Sequence, residues 1–142
     1  MKLYEFEGHR ILAKGAVKSP FFVVCENLDE VAQARKRLKL PVVAKVQVLS
    51  GKRGKSGGIK ICTTEKQLIN FCKSVFGKDF GGETVRFINL TQKVEIEKEF
   101  YASITYDTIL RIPFLLFSDE GGADIEEVRA KNPDKIRRID ID

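Results

Sequence analysis

The sequence predicts an α+β fold, and three patterns carry the prediction. Two stretches with helical apolar stripes and capping signals alternate with short β-rich runs. The runs VVAKVQV and GIKIC flank a glycine-rich connection as the arms of a hairpin do, and EFYASITYD and IPFLLFS flank a turn near Thr108 to Arg111. A chain of 142 residues is long enough for one domain, or two small lobes, with a real hydrophobic core. Its 43% apolar and 32% charged residues match a soluble globular protein and exclude a disordered or membrane-embedded one.

The elements follow in order. Leu3, Phe6, Ile11 and Leu12 form a helical stripe that Gly15 closes. FFVVC (21–25) reads as a short buried strand. Asn27 with Glu30 three residues on is a capping-box arrangement, opening a helix that runs to about Lys39 with Val31, Ala34 and Leu38 facing inward. VVAKVQV and GIKIC are the hairpin strands, and Thr64 with Gln67 repeats the capping signal. Leu68, Phe71, Cys72 and Val75 then make an apolar stripe that Gly77 ends. TVRFINL is a further strand, followed by the antiparallel pair. From Glu120 onward few residues are apolar, so the tail reads as an element whose packing partner lies elsewhere.

Cys25, Cys62 and Cys72 are odd in number and widely spaced, and only His9 could join them as a ligand. Neither a disulfide framework nor a zinc site has that spacing, so free buried thiols and no metal site are expected. His9, on the first helix, reads as a surface or capping residue. No apolar run reaches the roughly 20 residues that cross a bilayer, and MKLYEFEGHR lacks the form of a signal peptide, so no membrane contact and a cytoplasmic protein are expected.

The formal charge of +5 suits an anionic partner. Its distribution says more, because Lys52, Arg53, Lys55 and Lys60 fall within LSGKRGKSGGIK (49–60). Lys45 sits inside an apolar strand, on the same face as Val43 and Gln47. There it needs either an anion or an edge position from which to reach water. The glycines of 51–58 let backbone N–H groups approach a ligand, and the neighbouring cations are donors suited to phosphate oxygens. It is not a Walker A loop, because a strand and not a helix follows. On spacing alone, polyphosphate binding, a plain basic hairpin tip and nucleic-acid binding all remain open.

Four ordered segments narrow the choice: MKLYEFEGHRILAKG, VVAKVQVLSGKRGKSGGIK, VEIEKEFYASITYD and FSDEGGADIEEV. Together they resemble the start of the nucleotide-binding subunit of succinyl-CoA synthetase and its relatives, citryl-CoA synthetase, ATP-citrate lyase and malate-CoA ligase. The resemblance implies an ATP-grasp fold, with residues 16–90 as a complete small lobe and 1–15 and 91–142 as the first part of the large lobe. It implies a part in forming an acyl-CoA from a carboxylate, coenzyme A and ATP or GTP. Lys45 would contact nucleotide phosphates, with Lys52, Arg53 and Gly54 in the glycine-rich loop over them. The main chain around Leu90, Gln92 and Val94 would read the base, and Glu99 would hold the sugar end.

Two departures from the family pattern stand out. Thr91 occupies the position, eight before Glu99, that often carries an acidic residue, so base recognition there would rest on the main chain. The family's magnesium-binding Asn and Asp, its CoA-handling domain and its phosphorylated histidine would all lie outside these 142 residues. The expectation is therefore a nucleotide-binding part with no assigned catalytic residue, whose CoA-binding partner is another subunit or a further domain. A non-catalytic interaction module and a basic nucleic-acid-binding domain are the alternatives. The latter is disfavoured by the absence of aromatic residues beside the loop.

Overall fold

The computed structural model describes residues 2–50, 54, 56–121 and 125–141, the side chains of 126 and 127 excepted. It divides into two compact units, Met1–Val94 and Glu95–Asp142. The first contains α1 (Glu5–Lys14), β1 (Phe22–Cys25), α2 (Leu28–Arg35), β2 (Val42–Gln47), β3 (Ile59–Cys62), α3 (Glu65–Val75) and β4 (Phe87–Gln92). The second contains β5 (Tyr101–Asp107), β6 (Ile112–Ser118), α4 (Ile125–Lys131), a 3₁₀ turn (Pro133–Lys135) and β7 (Ile136–Asp140). The division falls just beyond residue 90, and α1 groups with the first unit.

In the first unit the strands form one sheet in the order β1-β4-β2-β3, and all three pairings are antiparallel. Alternation along β2 and β4 sends Val42, Ala44, Val46, Ile88 and Leu90 to one face, where all five are completely buried. That face meets Val31, Ala34 and Leu38 from α2 and its C-terminal turn, and Leu68, Phe71, Cys72 and Val75 from α3, in a single core. The inward residues are those the helical stripes predict. Period-2 and period-3.6 patterns have met across one interface, which is the packing solution open to a half-buried sheet.

Capping follows the side chains named above. Asn27 Oδ1 accepts from the Glu30 N–H at 2.9 Å, and Thr64 Oγ1 accepts from the Gln67 N–H at 3.2 Å. The second helix ends at Arg35 and not near Lys39. Beyond it three-residue bonds appear, Lys36 to Gln33 and Arg37 to Ala34, the latter carbonyl also accepting from Leu38 N–H, before the Leu40-Pro41 step, which disfavours helical backbone. Gly77, at φ +72°, adopts the left-handed conformation that a helix stop favours.

The three cysteines are free and buried in this core. Burial pushes the Cys25 and Cys72 thiols up to about 12 and raises Cys62 as well. The thiolate is the reactive form, so these groups are both shielded and protonated at neutral pH.

In the second unit, β6 is the middle strand of an antiparallel sheet ordered β5-β6-β7. The tail expected to lack a packing partner therefore finds one: β7 pairs with β6 through residues 136–140, and Val128 of α4 is buried. Sequence periodicity misses this strand because IRRID carries two arginines and only two apolar residues. Arg138 is held by Asp107 Oδ2 at 2.8 Å and Asp140 Oδ1 at 2.7 Å, and its guanidinium lies 4.0 Å from the Phe114 ring centroid. Backbone N–H groups of Leu110 and Ile109, together with Arg138, hold the Asp107 carboxyl below the usual carboxylate range.

A thiol-specific colorimetric disulfide reagent applied at pH 8 should titrate none of Cys25, Cys62 and Cys72 in the native chain, and all of them once denaturant is added. Prompt reaction of any thiol in the folded protein would contradict the buried placement.

Candidate phosphate-binding face

Lys45 lies on β2, which is flanked by β3 on one side and β4 on the other. It is thus on an interior strand, and of the two ways to accommodate it, an edge or an anion, only the anion remains. That anion is Glu5, whose Oε1 accepts from the Lys45 ammonium at 2.7 Å, with side chains 19% and 25% exposed. At a partly buried site such a charge-assisted bond is stronger than the same contact in water.

Glu5 comes from the first turn of α1, which rests on the sheet face opposite α2 and α3. Tyr4 and Phe6 pack around Phe87 of β4, with ring centroids 5.5–5.7 Å apart. His9 lies 5.4 Å from the Phe22 ring and 3.5 Å from Glu5 Oε1, so it is neither a cap nor a free surface residue. The Phe6 N–H donates to Gln47 Oε1 at 3.4 Å. Helix α1 covers only part of this face, since Ile59 and Ile61 of β3 remain 41% and 53% exposed. Ile59 is the residue directly across from Lys45. The face therefore presents a cation beside an open aliphatic strip.

Beneath α1 lies Asn89, the partner of Lys45 on β4. It is completely buried, and neither its amide nitrogen nor its amide oxygen finds a hydrogen-bond partner among the described residues; the buried Thr91 Oγ1 likewise finds none among them. A buried amide left in this state costs free energy that a hydrogen-bonded or apolar side chain would not.

The remaining candidates are distributed as follows. Lys52 and Arg53 lie outside the described residues. Gly54 is exposed in a turn where its C=O accepts from the Gly57 N–H at 3.3 Å. The Leu90 side chain is in the core, and its backbone is paired with Ala44 on one side and Val23 on the other. Gln92 uses its side-chain amide to hold the Lys39 backbone, accepting from N–H at 2.9 Å and donating to C=O at 2.8 Å, while its own N–H donates to Phe21 C=O. Val94 is 49% exposed just past the end of β4. Glu99 is exposed and belongs to the second unit.

Glu99 is placed by a contact that spacing does not reveal. The Gly121 N–H donates to the Glu99 C=O at 3.2 Å, and the two backbones are so close that any Cβ at 121 would collide with Glu99 C and Phe100 N. Glycine is required here for approach. Among the described residues no group of three or more His, Cys, Asp or Glu side chains could hold a metal ion. The magnesium implied by the resemblance has no fitting donor set among them.

The first unit is thus a four-stranded sheet with α2 and α3 on one face and, on the other, α1 and an ion-paired lysine, and a second antiparallel unit follows it in sequence. The ATP-grasp domain family matches residues 2–142, and the chain belongs to that family. Within it, the chain is similar to the β subunit of ADP-forming succinate–CoA ligase from Methanocaldococcus jannaschii, at 39% identity over all of this chain and 38% of that protein. The corresponding subunit from Rubrobacter xylanophilus is 38% identical, again over all of this chain and 37% of that one. The chain thus spans less than two-fifths of the length of these relatives. Among solved structures, the fold resembles ATP citrate lyase from Methanothrix soehngenii in complex with citrate and coenzyme A, with a TM-score of 0.73 at 17% identity, covering 99% of this chain and 35% of that one. It also resembles Ca. Korarchaeum cryptofilum ACD1 in complex with coenzyme A, with a TM-score of 0.75 at 14% identity, covering 97% of this chain and 59% of that one.

Replacing Asn89 by leucine, which is close in shape and makes no polar demand, should raise stability by about 1–3 kcal/mol in urea denaturation. A lower midpoint would show that the buried amide is satisfied by a bound water or ligand.

Proposed function

We propose that the chain binds the polyphosphate of ATP and serves as the nucleotide-binding part of an ATP-dependent carboxylic acid–CoA ligase of the succinyl-CoA synthetase type. The observation that carries the reading is Lys45: a lysine on an interior strand, on the face that the core helices leave open, in a chain that matches the ATP-grasp family throughout. Lys45 would meet phosphate oxygens with donors not used on Glu5, and Lys52 and Arg53 would add charge. The Gly54 region would offer backbone N–H groups. Val94 would present main chain to the base at the end of a strand that Leu90 anchors in the core and Gln92 ties to Lys39. Glu99 would accept from sugar hydroxyls.

These groups bind and orient; on this reading they neutralise charge on the triphosphate without themselves exchanging protons. Coenzyme A, the carboxylate and the phosphoryl-accepting histidine would be handled by polypeptide outside these residues, either a further domain or a partner subunit. The names of the relatives support succinate as the first acid to test. GTP is the natural competitor in the same assay.

ATP at about 100 times its Kd should stabilise the chain against thermal unfolding by about 2.7 kcal/mol, and AMP at equal concentration by less. Lys45→Ala should abolish most of that difference. Identical melting with and without ATP would overturn the proposal. Glu99→Ala should weaken ATP by about tenfold while leaving inorganic tripolyphosphate unaffected, since only the former carries hydroxyls for a carboxylate to accept from. Equal losses for both ligands would remove Glu99 from the sugar site.

A further inference from the structure

His9 is the single histidine of the chain, and none of the nucleotide-binding roles uses it. Helix α1 sets its place. Lying four residues after Glu5, it falls one turn further along the same side of the helix, so both side chains meet the sheet face that bears Lys45. Glu5 Oε1 is thereby shared: it accepts from the Lys45 ammonium at 2.7 Å and lies 3.5 Å from His9 Nε2. The imidazole packs against the Phe22 ring of β1, with centroids 5.4 Å apart. Its side chain is still 26% exposed, so protons reach it from water.

Few other charges face this imidazole. Of the strand residues that alternation places on the α1 side of the sheet, Lys45 alone is charged. There β1 contributes Phe22 and Val24, and β4 contributes Phe87, Asn89 and Thr91, none of which titrates. On α1 itself, the Glu7 carboxylate turns back to accept from the Tyr4 N–H at 2.9 Å, and the Arg10 guanidinium lies over the Phe6 ring. With His9 neutral, the charges of Glu5 and Lys45 cancel. With His9 protonated, the same three side chains carry one net positive charge.

We propose that His9, Glu5 and Lys45 form a proton-linked anion site: protonation of His9 engages Glu5 and leaves the charge of Lys45 to phosphate. This inference deepens the nucleotide reading above and rests on it. The direction follows from linkage. A phosphate group favours the protonated imidazole, so each strengthens the other's binding by the same factor. Phosphate binding therefore takes up a proton, and it weakens as pH rises through the range, about 5 to 8, in which histidine loses its charge.

Wild type, His9→Gln and His9→Lys are titrated with ATP and with inorganic tripolyphosphate by calorimetry at about pH 5.5 and about pH 8. Glutamine stays neutral at both, and lysine stays charged at both. At the lower pH, wild type should bind each ligand about fivefold more tightly than His9→Gln; at the higher pH the two should agree within about twofold. His9→Lys should keep the tighter binding throughout. Comparing variants at one pH cancels protonation of the ligand itself. Magnetic resonance reads the same link directly, because the chain has one imidazole. At about pH 6.5, tripolyphosphate should move its signals toward the protonated position. Lys45→Met without ligand should do the same, since it removes the cation that competes for Glu5. Neither spectrum requires His9→Gln to fold.

A histidine that serves packing alone would lower the melting temperature on substitution, yet leave the ratio of wild-type to His9→Gln affinity equal at both pH values and the imidazole signals unmoved by tripolyphosphate. That result overturns the inference. Wild type that binds neither ligand at either pH would overturn the nucleotide reading instead. The ligand-free Lys45→Met spectrum then decides, an unmoved imidazole excluding the link between His9 and Lys45.

Discussion

A lysine on an interior strand must be compensated, and the ion pair between Lys45 and Glu5 is the constraint around which the first unit is arranged. The core side of the sheet can be built from apolar alternation alone, as Val42, Ala44, Val46, Ile88 and Leu90 show. The opposite side cannot, because Lys45 shares it with Gln47, Asn89 and Thr91. Helix α1 resolves this mixed surface. Its aromatic residues take the apolar part at Phe87 and Phe22, its Glu5 takes the cation, and its Phe6 N–H takes the Gln47 oxygen. The helix is short and carries its basic residues outward, so most of its stability must come from this docking and little from propensity.

The same arrangement sets how the ammonium is presented. Ion pairing at a partly buried site holds the ammonium in one place, yet an ammonium has three donors and Glu5 Oε1 occupies one of them. Such a group is oriented without being used up. Beside it, the exposed aliphatic side chains of Ile59 and Ile61 provide a surface that is neither core nor fully wet. An anionic ligand with a flat apolar portion satisfies both features at once, whereas a simple counterion satisfies only the first.

The helices of the first unit were legible because their signals are local. Asn27 with Glu30, Thr64 with Gln67, and stripes such as Leu68, Phe71, Cys72 and Val75 need no knowledge of distant chain. The hairpin of β2 and β3 was legible for the same reason. What escaped depends on partners far apart in sequence. Lys45 could be seen to need an anion, but Glu5, forty residues earlier, looks like an ordinary first-turn acid suited to the helix dipole. Asn89 reads as one more residue of a β-run until the register places it under α1. The strand β7 was missed because its arginines are satisfied by Asp107, Asp140 and the Phe114 ring, so its apolar pattern is weak where its pairing is firm. The stripe of α2 runs beyond the helix itself, through Leu38, which remains buried in a turn after the helix has ended.

The close approach of Gly121 to the backbone of Glu99 and Phe100 has a consequence for how this second unit can vary. The stretch entering β5 and the stretch leaving β6 are separated there by less than the room one methyl group needs. Position 121 therefore acts as a spacer of minimum thickness. A lineage that replaced this glycine would have to part the two stretches, and the carbonyl of Glu99 would lose its donor together with its location. Sequence drift at 121 and the orientation of residue 99 are in this way a single mechanical variable, although 22 positions separate them along the chain.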